Sequence, residues 1–310
     1  MASVITEKDI KHKYYVSTRN ACKLCAPLGA CLVFKGIEGC VPMVHGSQGC
    51  ATYIRRYTIS HFREPMDIAS SNFSEKTTVY GGSHNFITGI NNVIAQYRPK
   101  VMGIASTCLA ETIGEDVPAL IRDYQDANTG NKDLPLFVFA STPSYCGSHI
   151  DGFHHAVLAT LSSMADNGKQ QTHINLLPGM VSPADMRYLH EIMQEFGIDA
   201  ILFPDYSKSL DNVFTHEYQL IPSGGTKIKD IRRTGTAKAT IEFGIVFAKA
   251  STRVRATKNT PTAGEWLQEN RYIRNFQMPL PIGINACDHF YNTLCKIGNK
   301  KMPEKFVEER

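Results

Sequence analysis

No stretch of the 310-residue chain is apolar for long enough to span a membrane, and its opening residues, MASVITEKDIKHKYY, carry no apolar signal-peptide core. The chain is therefore expected to be cytosolic, without membrane contact. Charge is nearly balanced at +4, and no Lys/Arg block with interleaved aromatics appears, so nothing calls for nucleic acid. The run KASTRVRATK at 249–258 is basic, but a solvated helix face or loop accounts for it as well as an acidic partner does. Catalytic signatures are missing as well: there is no G-x-S-x-G elbow, no phosphate-cradling P-loop and no strand–G-x-G-x-x-G–helix unit for a dinucleotide. Spacing assembles no Cys–His–Asp set, although His45, His61, His84 and His149 are present. A satisfied core or surface histidine is the expected role for each.

What the chain does have is nine cysteines, 43% apolar residues and 20% charged residues, an ordinary globular balance. Its length suggests two domains. In a reducing compartment an odd number of cysteines fits a disulfide set badly, which leaves core thiols, reactive thiols or ligands to a soft metal. The pair Cys22-Lys-Leu-Cys25 has C-x-x-C spacing, yet zinc needs a second pair or a Cys/His set, and none follows. Cys287 and Cys295, in or beside an amphipathic helix, are expected to be core thiols.

The chain is organised around residues 41–65, VPMVHGSQGCATYIRRYTISHFREP. Val41–Val44 reads as a buried strand that breaks at Gly46-Ser47-Gln48-Gly49 into a helix, placing Cys50 in its first turn. There the helix dipole and free N–H groups are expected to lower the thiol pKa and favour the metal-binding thiolate. Gly46 and Gly49 let backbone approach whatever the sulfur holds. A buried structural cysteine beside a tight turn is the alternative.

Around that centre, residues 1–20 form a polar arm, and Pro27 opens a short helix through Phe34. Met66–Asn72 reads as a strand, 73–82 as a loop, and Asn85–Tyr97 as an amphipathic helix. Val101–Ala105 is a buried strand, followed by Ser106-Thr107-Cys108 and a helix over Glu111–Tyr124. Leu136–Ala140 repeats the pattern before Ser144 and a helix over Ile150–Met164. Strand, small-residue turn and helix at these lengths imply a parallel sheet with helices on both faces, an α/β fold. Right-handed crossovers bring the turns to one edge of the sheet, where such folds bind ligands. Cys50, Cys108 and Ser144 lie on those turns. With Cys25 they give three thiols at Gly- or Pro-bearing turns, and three thiolates from one chain leave a position for a partner chain or a bridging iron–sulfur cluster.

The polar stretch 166–172 is taken as a domain boundary. Beyond it, strands are expected at Ile174–Leu177, Ala200–Phe203, Thr240–Phe243 and Leu280–Ile284. Helices are expected at Pro183–Phe196 with Ser182 as N-cap, in a short piece before Gly235, at Ala263–Glu269 and at Asp288–Ile297. The divisions are then an arm at 1–20, a cysteine-bearing domain at 21–166, a second α/β domain at 173–300, and 301–310 as the start of a further connection.

CAPLGA at 25–30, HGSQGC at 45–50, HFREP at 61–65, VYGG at 79–82, STCLAETIGED at 106–116 and TPSYCGSH at 142–149, with TAGEWL, PLPIG and MPEKFVEER further on, resemble the nitrogenase component 1 family on its beta-subunit side. The resemblance implies Rossmann-like parallel sheets in three domains, of which this chain carries two and stops where the third begins. It implies that Cys25, Cys50 and Cys108 are the beta-side ligands of a [4Fe–4S] or larger cluster shared with an alpha-type partner in a heterotetramer. Ser144 matches a serine that approaches the larger cluster, and Tyr80 falls on the docking surface for an ATP-dependent iron protein. The wording of 37–75 is closer to the scaffold branch, which matures the iron–molybdenum cofactor and delivers it to the catalytic molybdenum–iron protein, than to that catalytic protein itself. Ligands to the cofactor precursor would lie mainly on the partner. A reductase subunit is the alternative, and a cluster-free interaction protein a second one.

Overall fold

The computed structural model describes residues 24–131, 133–145, 147–213, 216–244 and 260–308. The arm at 1–20, Cys22, the basic run at 249–258 and the last two residues lie outside the described residues. The fold is α/β, and its contacts divide it into two units, with 39–156 in the first and 157–246 and 261–310 in the second. The division falls inside a helix, ahead of the polar stretch 166–172.

In the first unit, α1 (Ala26–Lys35) leads to β1 (Cys40–His45) and α2 (Gln48–Phe62). Then come β2 (Ala69–Ser70), α3 (Glu75–Tyr80), α4 (Ser83–Tyr97), β3 (Val101–Ser106), α5 (Cys108–Ile113), α6 (Val117–Ala127), β4 (Leu136–Ala140) and α7 (His149–Met164). The sheet is wholly parallel in the order β2-β1-β3-β4, with Val44 opposite Ala105 and His45 opposite Ser106. Both central strands, β1 and β3, are buried along their whole length, as continuous apolar runs covered on two faces require. Phe34, Met43, Ile54, Phe86, Ile90, Met102 and Phe153 fill the core.

The second unit carries β5 (Ile174–Leu177), α8 (Pro183–Glu195), β6 (Ala200–Leu202), α9 (Ile228–Arg233), β7 (Ala239–Phe243), α10 (Ala263–Arg271), β8 (Arg274–Met278), α11 (Ile284–Gly298) and α12 (Glu304–Glu308). Its parallel sheet runs β6-β5-β7-β8, the same order of crossing as in the first unit. Ser182 caps α8 in a capping box with Asp185, as its sequence position suggests.

Five expectations are corrected. Residues 73–82 are not a loop throughout: Ser74 and Thr77 exchange hydrogen bonds in a capping box that starts α3. The expected 111–124 helix is two helices, parted by Gly114 at φ 81° and restarted by Asp116, whose carboxylate accepts from the Ala119 N–H. The Met66–Asn72 strand shrinks to Ala69–Ser70. The last strand is Arg274–Met278 and not 280–284, because Pro279 and Pro281 cannot donate to a ladder. Cys287 and Cys295 are half-buried on α11 and not core thiols. Cys287 Sγ donates to the Pro281 carbonyl at 3.1 Å.

Candidate functional site

In a sheet ordered β2-β1-β3-β4 the chain crosses in opposite directions from β1 and β3, so the loops leaving those two strands part and open a crevice at their carboxyl ends. Cys50 and Cys108 stand there. Cys50 is in the first turn of α2, three residues past its N-cap Ser47, and Cys108 begins α5. Thr107 ties the two turns together: its N–H and hydroxyl both donate to the His45 carbonyl, at 3.1 and 3.0 Å. Gly46 faces Thr107 so closely that a Cβ at 46 would sit 2.1 Å from Thr107 Oγ1. Glycine is needed at 46 for this close approach.

Cys25 arrives from elsewhere in the chain, immediately before α1. Two glycines make that possible. A Cβ on Gly29 would lie 1.8 Å from the His149 carbonyl oxygen, and one on Gly152 would lie 1.9 Å from that of Ala26, so α1 and α7 press together backbone to backbone. The Leu24 and His149 main chains and the His149 ring complete the seam, with Leu24 N–H donating to His149 Nδ1 at 3.1 Å and His149 N–H to the Leu24 carbonyl at 2.9 Å.

Ser144 bridges the two parts of the site. Its hydroxyl accepts from the Ala26 N–H at 3.0 Å, beside Cys25, and its own N–H donates to Cys108 Sγ at 3.2 Å. The Ser144 loop is held in turn by Thr142, which bonds both the hydroxyl and the carbonyl of Ser106, and by Glu111, which accepts from the Ser106 and Ser141 hydroxyls. Cys25, Cys50, Cys108 and Ser144 are thus brought to one place, and the three thiols lie near enough to repel one another when ionised.

Burial at the site reverses one expectation. Burial raises the pKa of Cys25, with the charges of Cys50 and Cys108 adding to it and the Leu28 N–H offsetting part. Partial burial raises Cys50 too, against a hydrogen bond from Ser47 and with the charge of Cys108. The helix dipole does not win at Cys50, so without a bound cation Cys25 and Cys50 hold their protons and a positive centre would have to displace them.

His45 is the satisfied core histidine the sequence suggests, whereas sequence reasoning did not assign its partner Glu115. His45 closes β1 with none of its surface exposed, its Nδ1 3.0 Å from Ser71 Oγ and its Nε2 3.3 Å from Glu115 Oε2. Burial lowers its pKa against the pull of Glu115. The other Glu115 oxygen accepts from the Gly82 N–H at 2.7 Å, which fixes the glycine elbow between α3 and α4. The available signal was position: a histidine at the carboxyl end of a buried strand, and a glutamate following the second cysteine turn. Next to that elbow Tyr80 is 81% exposed and Val79 73%, so Tyr80 is not packing in this unit. On α2, Tyr53 and Tyr57 share the solvent face with Cys50 and stack at 6.5 Å while 64% and 50% exposed.

Among the described residues, no three of His, Cys, Asp and Glu are placed to hold a single metal ion. Three thiols set on separate turns around a crevice are instead a donor set suited to a multi-iron cluster. No helix among the described residues is long and apolar enough to cross a membrane.

Residues 25–310 match the family model described as nitrogenase component 1 type oxidoreductase. The chain is 35% identical over 292 residues to the nitrogenase molybdenum–iron protein beta chain of Clostridium pasteurianum, covering 94% of this chain and 61% of that one. It is 34% identical over 297 residues to the beta chain of the same name from a Nostoc species, covering 94% and 55%. A solved structure described as nitrogenase Cp1 at pH 6.5 superposes with a TM-score of 0.85 at 35% identity, over 93% of this chain and 60% of that one. The chain spans about three fifths of the length of these relatives.

Proposed function

The chain belongs to the nitrogenase component 1 type oxidoreductase family, and on that premise we propose that it is a beta-type subunit holding part of an iron–sulfur cluster through Cys25, Cys50 and Cys108. The observation that carries this reading is the convergence of the three thiols at the crevice between β1 and β3, joined by Ser144. When bound, such a cluster stores and passes electrons one at a time.

The chain's own residues do the rest. The cysteines release their protons to become ligands, and burial opposes that release at Cys25 and Cys50. The Ser144 N–H holds Cys108 Sγ by a hydrogen bond, an interaction of the kind that tunes cluster potential. The buried web of His45, Ser71, Glu115, Ser106 and Thr107 fixes the two turns that carry Cys50 and Cys108. The exposed face of Cys50, Tyr53 and Tyr57 suits an alpha-type partner that supplies the remaining ligands in a heterotetramer. Tyr80 and Val79 offer an apolar contact for an ATP-dependent iron protein.

The finer role we propose is that of the scaffold on which the iron–molybdenum cofactor matures before transfer to the catalytic molybdenum–iron protein, with the precursor held mainly by the partner. The wording of residues 37–75 supports it. The relatives named above are molybdenum–iron protein beta chains, which favours a second reading, a reductase subunit.

The decisive experiment is iron and acid-labile sulfide, with electron paramagnetic resonance, on the anaerobically purified complex and its Cys50→Ala variant. Loss of signal and iron in the variant is expected. Unchanged iron content would remove Cys50 from the ligand set. Activation of a cofactor-free molybdenum–iron protein then marks a scaffold, and acetylene reduction by the complex itself marks a reductase.

A further inference from the structure

Within the second unit a cleft of about 580 Å³ opens at the carboxyl end of β6, where α/β sheets receive ligands. It uses no residue of the cysteine site. One wall is a single face of α8, formed by Arg187, His190 and Gln194 at spacings of three and four. Facing it are the loop from Asp205 to Lys208 and the turn Ser223-Gly224-Gly225, with Glu38 and Lys227 completing the lining.

The glycine turn is built, not incidental. Gly224 and Gly225 have φ of 119° and 92°, and Cβ atoms there would come within 2.8 Å of Lys208 Cβ and 2.5 Å of the Glu38 nitrogen. Side chains are therefore excluded on both counts, and the two consecutive backbone N–H groups find no acceptor among the described residues. Successive unpaired amides on a glycine turn form an anion-binding concavity.

The acids of the cleft are already engaged on one side. Asp205 accepts from the Ser207 N–H at 3.0 Å and lies 2.8 Å from His190 Nε2. Arg187 is fixed by the Ser207 carbonyl at 3.0 Å and by Asp211 at 2.7 Å, its guanidinium held at the wall. Neither Lys208 nor Lys227 has an acidic partner among the described residues. The groups left to bind something are donors: two amides, two ammonium groups and the Ser223 hydroxyl.

We propose that this cleft binds a small oxyanion-bearing molecule, phosphoryl or carboxylate, seated on the Gly224–Gly225 amides between Lys208 and Lys227. The ligand class is therefore a small phosphorylated or carboxylated metabolite.

The test is isothermal titration calorimetry of the anaerobically purified protein with inorganic phosphate and, separately, with malate. Saturable one-to-one binding of either anion is expected, and which of them binds distinguishes a phosphoryl from a carboxylate ligand. A Lys208→Ala, Lys227→Ala double variant should bind about tenfold more weakly, since each lysine adds a charge-assisted contact. Both lysines are exposed, so its melting temperature should match that of the parent, and a single Lys227→Glu variant gives the same reading by charge reversal. No saturable binding of either anion up to about 10 mM overturns the proposal. So does binding that both variants leave unchanged. Because none of these residues touches the cysteine turns, the outcome is independent of the cluster.

Discussion

At His154 the fold decides a charge state. The residue lies on α7 and is mostly covered by protein, and burial lowers its pKa from 6.5 to about 4, against the opposing charge of Asp151 and with that of His155. The folded chain therefore keeps this imidazole neutral where an unfolded chain would protonate it. Above pH 6.5 neither state binds the proton and stability is unaffected. As pH falls below that value the unfolded state binds protons first, so stability falls until the folded state titrates near pH 4. The loss is up to about 2 kcal/mol at about pH 5. Thermal melts between pH 7 and 4 should show this slope, and His154→Phe should flatten it; an identical slope in the variant would place the acid sensitivity elsewhere.

At the scale of elements, the site depends on helices and turns approaching more closely than side chains allow. Gly46→Ala would drive a methyl into Thr107, which anchors both cysteine turns, and overpacking of this kind costs about 1–3 kcal/mol. Because the strain falls between the turns of Cys50 and Cys108, iron content should drop together with the melting temperature. Gly114→Ala is the matched control. Nothing lies within 4 Å of its Cβ, so only the left-handed backbone penalty of about 1–2 kcal/mol applies, and iron should be retained. Equal iron loss in both variants would mean that general instability, not turn geometry, governs assembly.

The same elements explain what the sequence made legible. Buried parallel strands show as unbroken apolar runs, so β1, β3, β4 and β5 were readable within a residue or so, and with them the edge of the sheet carrying Cys50, Cys108 and Ser144. Helix α3 was not readable, because EKTTVY has no apolar period and its start rests on a Ser–Thr capping box without the usual Glu or Gln. The break at Gly114 was hidden inside a pattern that reads as one amphipathic helix. The Glu115 contacts to His45 and Gly82 span 70 and 33 residues, and no local pattern reports a pairing at such separations.

For the molecule as a whole, two units repeat one sheet order, but among the described residues only the first sets thiols at the edge where its strand order reverses. In the second unit the corresponding loops leave from Leu177 and Phe243 with Gly179 and Gly244 at positive φ and no cysteine. On the proposed ligand set of Cys25, Cys50 and Cys108, three thiolates from one unit would leave a cluster's coordination incomplete, and the α2 face that carries Cys50 also carries two exposed, stacked tyrosines. Aromatic side chains of this kind anchor protein interfaces. Replacing Tyr53 and Tyr57 by Asp should therefore abolish co-purification with an alpha-type partner. The melting temperature of the chain itself should stay within the range of surface substitutions, about 0.5 kcal/mol in stability. Iron should fall along with pairing, because the remaining ligands would arrive with the partner. A variant that still pairs and keeps its iron would mean that the partner sits on another face, and that the tyrosines guard the cysteine turn from solvent without being covered.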